Sequence, residues 1–484
     1  MTRNYLFTFM TVLCAVSVLC AAVSCDGGEN GGPGTLTGDA TFILESAEGS
    51  ADTAALEFNG PWEVTGAPSW CDVSPASGEA GKYVLTVTAS SVNEDFAERE
   101  GVITVVVDGS AEVGYQVYQR GVPGLRFSVE DAYASDGGGE IRIPAEGNID
   151  MDPSFISCDS DWIGYVSAEA SEPSYLSDGE TLSEYWTGAL VLSVSANGTG
   201  AARDAVVALN AGGVTSEVTV HQVAPVDWDR TFYRRSTLLR FTATWCGYCP
   251  IMNAAFEQAV EEKPGRLVAL NVHPYNSEGG LSWEGTEDLQ SLYGVTDYPS
   301  AIFNGFAKFI NTSSSGSTAR IMTLLADEAV EDFPSQTNIM AAASTTGNRM
   351  VQVDAFIAAR EDGNYRVTVM VLENGIVYQQ TDYSAPQGAQ TDYVHNHIVR
   401  GALTDVAGDP VAGLTAGTTA HVSVSGTLPA SISDMDNAYV VVFVTRDADA
   451  GSGVPQVTVL DTGEIVDNVV EVPLDGMTEY KYEE

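Results

Sequence analysis

The chain has 484 residues, 44% of them hydrophobic and 18% charged, which is enough for about three domains with cores of their own. Its 66 aspartates and glutamates against 21 lysines and arginines give a formal net charge of −45. Such an acidic protein is repelled by phosphate backbones and anionic lipid headgroups, which argues against nucleic-acid binding and against basic docking onto membranes. The 48 glycines and the short runs rich in valine and threonine predict β-structure with tight turns.

Residues 1–24 predict a lipoprotein signal peptide. Arg3 is the only charge before Asp26, and the almost unbroken apolar run between them ends in small residues. The segment 22–25, Ala-Val-Ser-Cys, resembles a bacterial lipobox, in which Cys25 is lipidated and becomes the mature N-terminus. Ordinary signal cleavage that leaves a free Cys25 is the alternative.

A flexible acidic tether is predicted over residues 25–39, where glycine dominates. Its acidic residues directly after Cys25 resemble the export signals of bacterial surface lipoproteins. No later segment is apolar over the length of a bilayer, so a lipid such as palmitate on Cys25 would be the only membrane anchor.

A β-rich pattern occurs twice after the tether, over residues 40–122 and 123–226. Each copy has a tryptophan near its first strands, then an arginine before a strand and a glutamine after the next strand. The arginine and the glutamine are 20 residues apart in the first copy and 19 in the second. Strands separated by turn signals at this spacing predict a small antiparallel β-sandwich for each copy.

The first copy resembles the BACON domains, a family named for carbohydrate binding. The resemblance rests on segments 68–70 (Pro-Ser-Trp), 74–78 (Ser-Pro-Ala-Ser-Gly) and 119–121 (Gln-Arg-Gly), and the second copy matches in outline. The resemblance implies glycans as a class of partner.

The tryptophans and cysteines of the two copies have a simpler interpretation than sugar binding. Trp62, Trp70 and Trp162 stand at strand starts, and we expect them in the core rather than on a sugar-binding platform. Cys71 and Cys158 are expected as small buried hydrophobic residues rather than as an interdomain disulfide.

Residues 227–336 contain the candidate chemistry. An apolar strand leads into Trp245-Cys246-Gly247-Tyr248-Cys249, and a helix is predicted directly afterwards. The elements expected in this part of the chain are strands over 237–243, 266–272, 300–303 and 306–310 and helices over 251–262, 287–293 and 317–333. Their order, with Tyr298-Pro299 before the third strand, resembles the thioredoxin fold.

The two cysteines at the start of a helix suit thiol chemistry. Cys246 would lie near unpaired backbone N–H groups and the positive end of the helix dipole, which favour a thiolate. Cys249, one turn further on, could attack a mixed disulfide or close a disulfide with Cys246. The family resemblance implies that Gly247 and Tyr248 tune the redox potential.

The resemblance also assigns roles around the cysteines. Pro299 would be cis, forming the wall opposite Cys246 and leaving the Tyr298 backbone to pair with an extended substrate. Family members often carry a buried acid where this chain has Arg240, which cannot accept a proton at physiological pH. His273 is a possible substitute base, although a solvated loop histidine is the favoured interpretation.

Residues 337–484 predict a C-terminal sandwich of immunoglobulin or fibronectin type. A thioredoxin-like domain followed by this sandwich, with the segment 395–400 (His-Asn-His-Ile-Val-Arg), resembles the lipoprotein family related to outer membrane protein 28. The resemblance implies a lipid-anchored protein of the outer membrane, on its periplasmic or cell-surface face. His395 and His397 would share one face of a strand, but no third ligand is evident, and we predict a structural role and no metal or cofactor.

The main functional hypothesis is a thiol–disulfide oxidoreductase that acts on thiols or disulfides of exported proteins, with Cys246 attacking, Cys249 resolving and Pro299 positioning the substrate. The alternative is a non-enzymatic surface lipoprotein with a redox-inert thioredoxin fold that binds glycans or protein partners through its β modules. A zinc pair and a permanent structural disulfide remain as other interpretations of the two cysteines.

Overall fold

The computed structural model describes residues 40–274, 280–346, 349–448 and 451–484. The predicted signal peptide, Cys25 and the tether lie outside the described residues, so those predictions stay predictions. The described chain forms two compact units, one of residues 40–92 with 99–119 and the other of residues 93–98 with 120–484. No helix among the described residues is both long and apolar enough to span a bilayer.

The first unit is a sandwich of two sheets with strand orders β1-β8-β7-β3-β5 and β2-β6-β4. Its strands are β1 Thr41–Leu44, β2 Ala51–Phe58, β3 Trp62–Gly66, β4 Cys71–Ser74, β5 Ser77–Gly78, β6 Gly81–Ala89, β7 Arg99–Val107 and β8 Ala111–Gln119. Residues alternate between core and solvent along β6, β7 and β8, as expected for sheets with one buried face. Trp62 is buried and stacks on Phe58, with ring centroids 4.4 Å apart.

The second β module repeats this arrangement, with sheets ordered β10-β16-β15-β12 and β13-β14-β11-β9. Its strands are β9 Leu125–Phe127, β10 Asp131–Ala134, β11 Gly139–Gly147, β12 Ile156–Cys158, β13 Ile163–Ala170, β14 Trp186–Val194, β15 Arg203–Ala211 and β16 Val214–Gln222. In both modules a short early strand pairs in parallel with the last strand, β1 with β8 and β10 with β16.

The arginine and glutamine of the first repeat form a polar clamp. Nε of Arg99 donates to Oε1 of Gln119 at 2.7 Å, and the guanidinium lies 4.7 Å from the ring centre of Trp70. Gln119 is fully buried, and its side-chain amide donates to the carbonyls of Glu45, Ser46 and Ser91. The hydrogen bonds of Gln119 therefore tie two loops to the end of the last strand.

The second repeat carries the same clamp. Arg203 donates to Gln222 at 2.7 Å and lies 4.3 Å from the ring centre of Trp162. Gln222 donates to the carbonyls of Ser135 and Ser195. An arginine thus covers one face of the tryptophan in each copy, which places these rings in the framework rather than on an open sugar-binding platform.

The α/β segment has the elements that the sequence predicts, within two residues at each boundary. They are β17 Ser236–Phe241, α1 Cys249–Glu262, β18 Leu267–Val272, α2 Thr286–Leu292, β19 Ser300–Phe303, β20 Ala307–Ile310 and α3 Ser315–Asp332. Strand β17 pairs in parallel with β18 and antiparallel with β19, and β20 continues the sheet from β19. The predicted Asn304-Gly305 turn is present, with positive φ at both residues (46° and 80°).

The C-terminal residues form a second set of strands. They are β21 Thr337–Thr346, β22 Met350–Ala359, β23 Tyr365–Glu373, β24 Ile376–Thr381, β25 Ala389–His395, β26 Ile398–Ala402, β27 Asp409–Pro410, β28 Thr418–Thr427, β29 Ala438–Asp447, β30 Thr458–Val459, β31 Glu464–Pro473 and β32 Gly476–Met477. Strands β28, β22, β21 and β32 form one sheet, and β24 and β25 form a separate hairpin.

The α/β segment and the C-terminal strands share one ten-stranded sheet. Its main order is β30-β20-β19-β17-β18-β26-β23-β29-β31, with β27 added beside β23. Strand β18 meets β26 in parallel at Asn271, which lies opposite Ile398. The sheet therefore crosses the domain boundary that the sequence placed between residues 336 and 337.

The buried clamp leads to a stability prediction. Replacing Gln119 with leucine should lower the free energy of unfolding by about 2 kcal/mol, because the buried carbonyls it bonds would lose their donor. Urea denaturation of the whole protein, followed by tryptophan fluorescence, measures the change. Val84→Ala, at an exposed position of the same module, should stay within about 0.5 kcal/mol of the parent. Equal losses in the two variants would contradict a stabilising role for the clamp.

Candidate functional site

Cys246 and Cys249 form a disulfide at the junction between β17 and α1. Both residues are buried, with 5% and 1% of their surfaces exposed. They pack in a small cluster with Ala243 and with the half-buried Tyr298. The two sulfurs are bonded to each other, and the sequence suggested that cysteines three residues apart could form this disulfide.

The residue before the predicted proline packs against the cysteines. The Tyr298–Pro299 peptide bond is cis. The ring of Tyr298 packs edge-on against Trp245 at 5.5 Å, and its hydroxyl accepts a hydrogen bond from the side chain of Gln290. Burial raises the pKa of the Tyr298 hydroxyl, so it stays protonated at neutral pH. The structure thus brings Trp245, Tyr298 and both cysteines together.

Sequence reasoning missed a segment of the C-terminal hairpin that covers the cysteine loop. The backbone N–H of Thr381 donates to the carbonyl of Thr244 at 2.7 Å, and that of Tyr383 donates to the carbonyl of Gly247 at 3.0 Å. A Cβ atom at Gly247 would lie 2.5 Å from the ring of Tyr383, so only glycine fits under this ring. The hairpin therefore pairs with the loop as an added strand would.

Gln380 holds the hairpin from inside. It is buried, and its side-chain amide donates to the carbonyls of Ala243 and Cys246 at 3.2 and 3.0 Å. These carbonyls lie more than 130 residues away in the chain, so no local pattern in the sequence reveals the contact. The segment 380–383 and the cysteine loop form a single hydrogen-bonded structure.

Three aromatic side chains around the covered disulfide face solvent. Trp245, Tyr248 and Tyr383 are 52%, 57% and 64% exposed. Tyr248 and Tyr383 pack edge-on with ring centroids 5.1 Å apart. We call these three residues the aromatic patch. Large aromatic groups exposed on a rigid scaffold are typical of binding surfaces.

Arg240 does not replace the missing acid as a proton acceptor. Its side chain is 1% exposed, and its guanidinium lies 4.4 Å from the ring centre of Phe256 in α1. Burial lowers the pKa of Arg240 to about 10, which still leaves it charged at neutral pH. It lines a cavity together with Pro250 of α1.

His273 is buried rather than solvated, so the favoured interpretation of this residue was wrong. Only 1% of its surface is exposed, and neither ring nitrogen has a hydrogen-bond partner among the described residues. Its ring packs edge-on against His395 at 5.5 Å. Burial, with smaller effects of His395 and Arg400, lowers the pKa of His273 to about 3. The C-terminal strands cover what the sequence suggested was an open loop.

The expectation that His395 and His397 share a strand face was also wrong. His395 ends β25, whereas His397 has a φ of 57° in the turn that follows. His397 hydrogen-bonds through Nδ1 to the hydroxyl of Tyr439 at 2.8 Å, while His395 packs on His273. Within the described residues, no group of three histidine, cysteine or acidic side chains is placed to hold a metal ion.

The buried histidines should make stability depend on pH. Burial lowers the pKa of His395 and of His397 to about 4, and that of His273 to about 3, whereas an unfolded histidine titrates near 6.5. As the pH falls from about 6.5 toward 4, the unfolded chain takes up protons that the folded chain does not. Each histidine should therefore reduce the free energy of unfolding by up to about 1.4 kcal/mol per pH unit.

Urea denaturation at a series of pH values between 7 and 5 tests this prediction. His273→Phe fills a similar space without a titrating group. The free energy of unfolding of this variant should change less steeply with pH, by the contribution of one histidine. An unchanged slope in the variant would show that His273 does not stay neutral in the folded protein.

Two family models match parts of the chain. Residues 286–464 match the family described as outer membrane protein Omp28, and residues 60–120 match BACON, described as a putative N-terminal binding domain. Each match covers less than half of the chain, and both agree with the resemblances that the sequence showed. The first match confirms the predicted outer-membrane location. No curated protein matches the chain.

Several solved structures are similar to parts of the chain. HBP35 of Porphyromonas gingivalis is 19% identical with a TM-score of 0.39, over 53% of this chain and 79% of that chain. A domain of the outer membrane lipoprotein Omp28 from Porphyromonas gingivalis is 18% identical with a TM-score of 0.18, over 29% and 89%. A Bacteroides ovatus GH5 xyloglucanase is 27% identical with a TM-score of 0.16, over 17% and 18%. At these TM-scores the similarities carry no functional argument.

Proposed function

We propose that the protein is a non-enzymatic outer-membrane lipoprotein that binds glycans or protein partners, and that its disulfide is a structural closure. The observation that carries this proposal is the cover over the cysteine loop. The backbone N–H groups of Thr381 and Tyr383 donate hydrogen bonds to the carbonyls of Thr244 and Gly247. The ring of Tyr383 also lies over Gly247, between the two cysteines. A substrate disulfide would have to displace this cover before it could reach Cys246.

The charges around the cysteines favour the same proposal. Thiol–disulfide exchange needs a base that takes the proton of the resolving thiol. Arg240 is a cation, and His273 is buried without a hydrogen bond to either cysteine. His273, the one substitute base that the sequence suggested, is therefore not placed to take this proton in the folded chain.

The aromatic patch is the binding surface that the structure supports best. Trp62 is buried, and Trp70 and Trp162 are covered by arginines, whereas Trp245, Tyr248 and Tyr383 expose more than half of their surfaces. The disulfide and the paired hairpin fix the backbone on which these rings stand. An ordered aromatic surface loses little conformational entropy on binding and can stack on sugar rings or apolar protein groups.

Thiol–disulfide exchange is the second candidate, and one observation favours it. The order of strands and helices around the disulfide resembles that of a thioredoxin fold, and Tyr298, which precedes the cis Pro299, packs against Trp245 and the cysteines. Exchange with exported proteins would then require the hairpin over Gly247 to open. The redox behaviour of the cysteine pair distinguishes the two candidates.

Titration of the whole protein with thiol buffers is the direct test. A structural disulfide should stay closed below about −300 mV, whereas a working exchange site should titrate reversibly between about −120 and −270 mV. Cys249→Ala adds a second readout, because an active Cys246 would accumulate mixed disulfides with exported proteins. Reversible titration together with trapped partners would overturn the proposed function in favour of exchange.

The cover itself can be tested with Tyr383→Ala. Loss of the ring over Gly247 should speed the reaction of the disulfide with dithiothreitol by about tenfold, equivalent to about 1.4 kcal/mol of lost protection. Quenched labelling of the released thiols measures the rate. Tyr175→Ala, which removes an equally exposed tyrosine from the second β module, should react as the parent does. Equal rates in all three proteins would show that Tyr383 does not protect the disulfide.

The aromatic patch can be tested by binding. Trp245→Ala combined with Tyr248→Ala should weaken binding to a glycan or protein ligand by at least about tenfold, because exposed aromatic anchors carry much of the binding energy. Immobilised polysaccharides and outer-membrane proteins provide the probes for the parent protein. Tyr175→Ala is the matched control and should bind as the parent does. Binding by the double variant that equals the parent's would refute this surface.

A further inference from the structure

A cavity of about 590 Å³ lies between helix α1 and the β24–β25 hairpin. Arg240 lines it from β17, Pro250 and Asn253 line it from α1, and Tyr393 and His397 line it from the C-terminal chain. This volume is within the range of small-molecule sites. None of the side chains of the aromatic patch lines this cavity.

Arg240 is unusual among the buried arginines of the chain. Arg234 donates hydrogen bonds to two backbone carbonyls, and Arg400 pairs with Glu373 at 3.2 Å. Arg240 forms no ion pair within the described chain, and its Nε and Nη1 have no hydrogen-bond partner there. Its packing over Phe256 offsets only part of the cost of burying a charge.

A second buried polar atom without a partner belongs to a residue that lines the same cavity. Asn271 is 4% exposed, and its side-chain amide donates to the carbonyl of Asn396 at 2.6 Å. Its Oδ1 has no partner among the described residues. Buried polar groups are nearly always paired, so the free groups of Arg240 and Asn271 indicate a ligand that supplies an acceptor to one and a donor to the other.

The exposed charged residues that line the cavity, which we call its rim, are carboxylates. Glu257 and Asp392 are exposed carboxylates that line it, and Asp382 lines it with its carboxylate bonded to Ser384 and Gln390. A dianion such as phosphate or sulfate would be repelled by this rim. A single carboxylate could reach the guanidinium if the rest of the molecule offered hydroxyl or ammonium donors to the rim.

We propose that this cavity binds a small organic carboxylate that also carries hydrogen-bond donors. The carboxylate pairs with the Arg240 guanidinium, the geometry for which arginine is best suited. The hydroxyl or ammonium groups of the ligand bond to Asn271 Oδ1 and to the carboxylates of Glu257 and Asp392. A sugar acid and an amino acid or peptide C-terminus share this chemistry. The proposal is independent of the binding function of the aromatic patch.

Calorimetry and thermal unfolding of the whole protein with four probes test the site. D-Glucuronate supplies a carboxylate with hydroxyl groups, glycylglycine supplies a carboxylate with an ammonium group, acetate supplies the carboxylate alone, and glucose supplies only hydroxyl groups. We expect glucuronate or glycylglycine to bind and to raise Tm, acetate to bind at least tenfold more weakly, and glucose not to bind. The tighter of the two bifunctional probes identifies the source of the carboxylate. Failure of both to bind overturns the proposal.

Two variants separate binding from a structural role of Arg240. Arg240→Met should abolish binding while leaving Tm in the absence of ligand equal to the parent's or higher, because the unpaired buried charge is removed. A lower Tm with unchanged binding of the probes would show that Arg240 serves packing alone and would refute the site. Asp392→Asn keeps the arginine and tests the rim independently: it should weaken glycylglycine more than acetate, and equal effects would contradict the proposed role of the rim.

Discussion

The contact between β18 and β26 is the constraint on which the site depends. At this point Asn271 donates its backbone N–H to the carbonyl of His397 at 2.6 Å and its side-chain amide to the carbonyl of Asn396 at 2.6 Å. Two strands that are 127 residues apart at Asn271 and Ile398 thereby become neighbours in one sheet. A buried N–H group is costly unless it is hydrogen-bonded, so these two bonds favour the strand that supplies their acceptors.

Joining these strands determines where the preceding hairpin lies. Strand β26 follows β25 after a turn of two residues, so the β24–β25 hairpin is held beside α1 and the cysteine loop. The hairpin then contributes to two separate features. Its segment 380–383 covers the loop between the cysteines, and its returning strand forms one wall of the Arg240 cavity.

The same geometry explains why a cysteine pair alone does not define a function. A Cys-x-x-Cys pair at the start of a helix suits thiol exchange when a substrate can reach it and a base lies nearby. Here the carbonyls of the loop are bonded within the chain, Arg240 is a buried cation, and His273 is a buried neutral histidine. The rigid loop and its exposed aromatic groups suit binding better than exchange.

Local patterns in the sequence predicted much of the fold. The strands and helices between residues 236 and 332 were predicted within two residues, because each has its own apolar run and a clear turn or helix signal. The arginine and glutamine at matching spacing in the two β modules proved to be the clamp of each module. The ten-residue strand β31, Glu464–Pro473, was missed because its run contains Asp467 and Asn468, whose side chains are buried in a hydrogen-bonded network.

The sequence by itself determined the modular order, the β-rich character, the position of the cysteine pair and the presence of a cation at Arg240. These features follow from local periodicity, turn residues and spacing, which act between near neighbours in the chain. Only the tertiary structure decided that His273 is buried, that His397 leaves the strand, and that Tyr383 covers Gly247. The burial of His273 and the position of Tyr383 depend on contacts between segments more than a hundred residues apart. The conformation of His397 depends on a turn whose backbone is set by the sheet that it joins. No local pattern in the sequence encodes contacts of this kind.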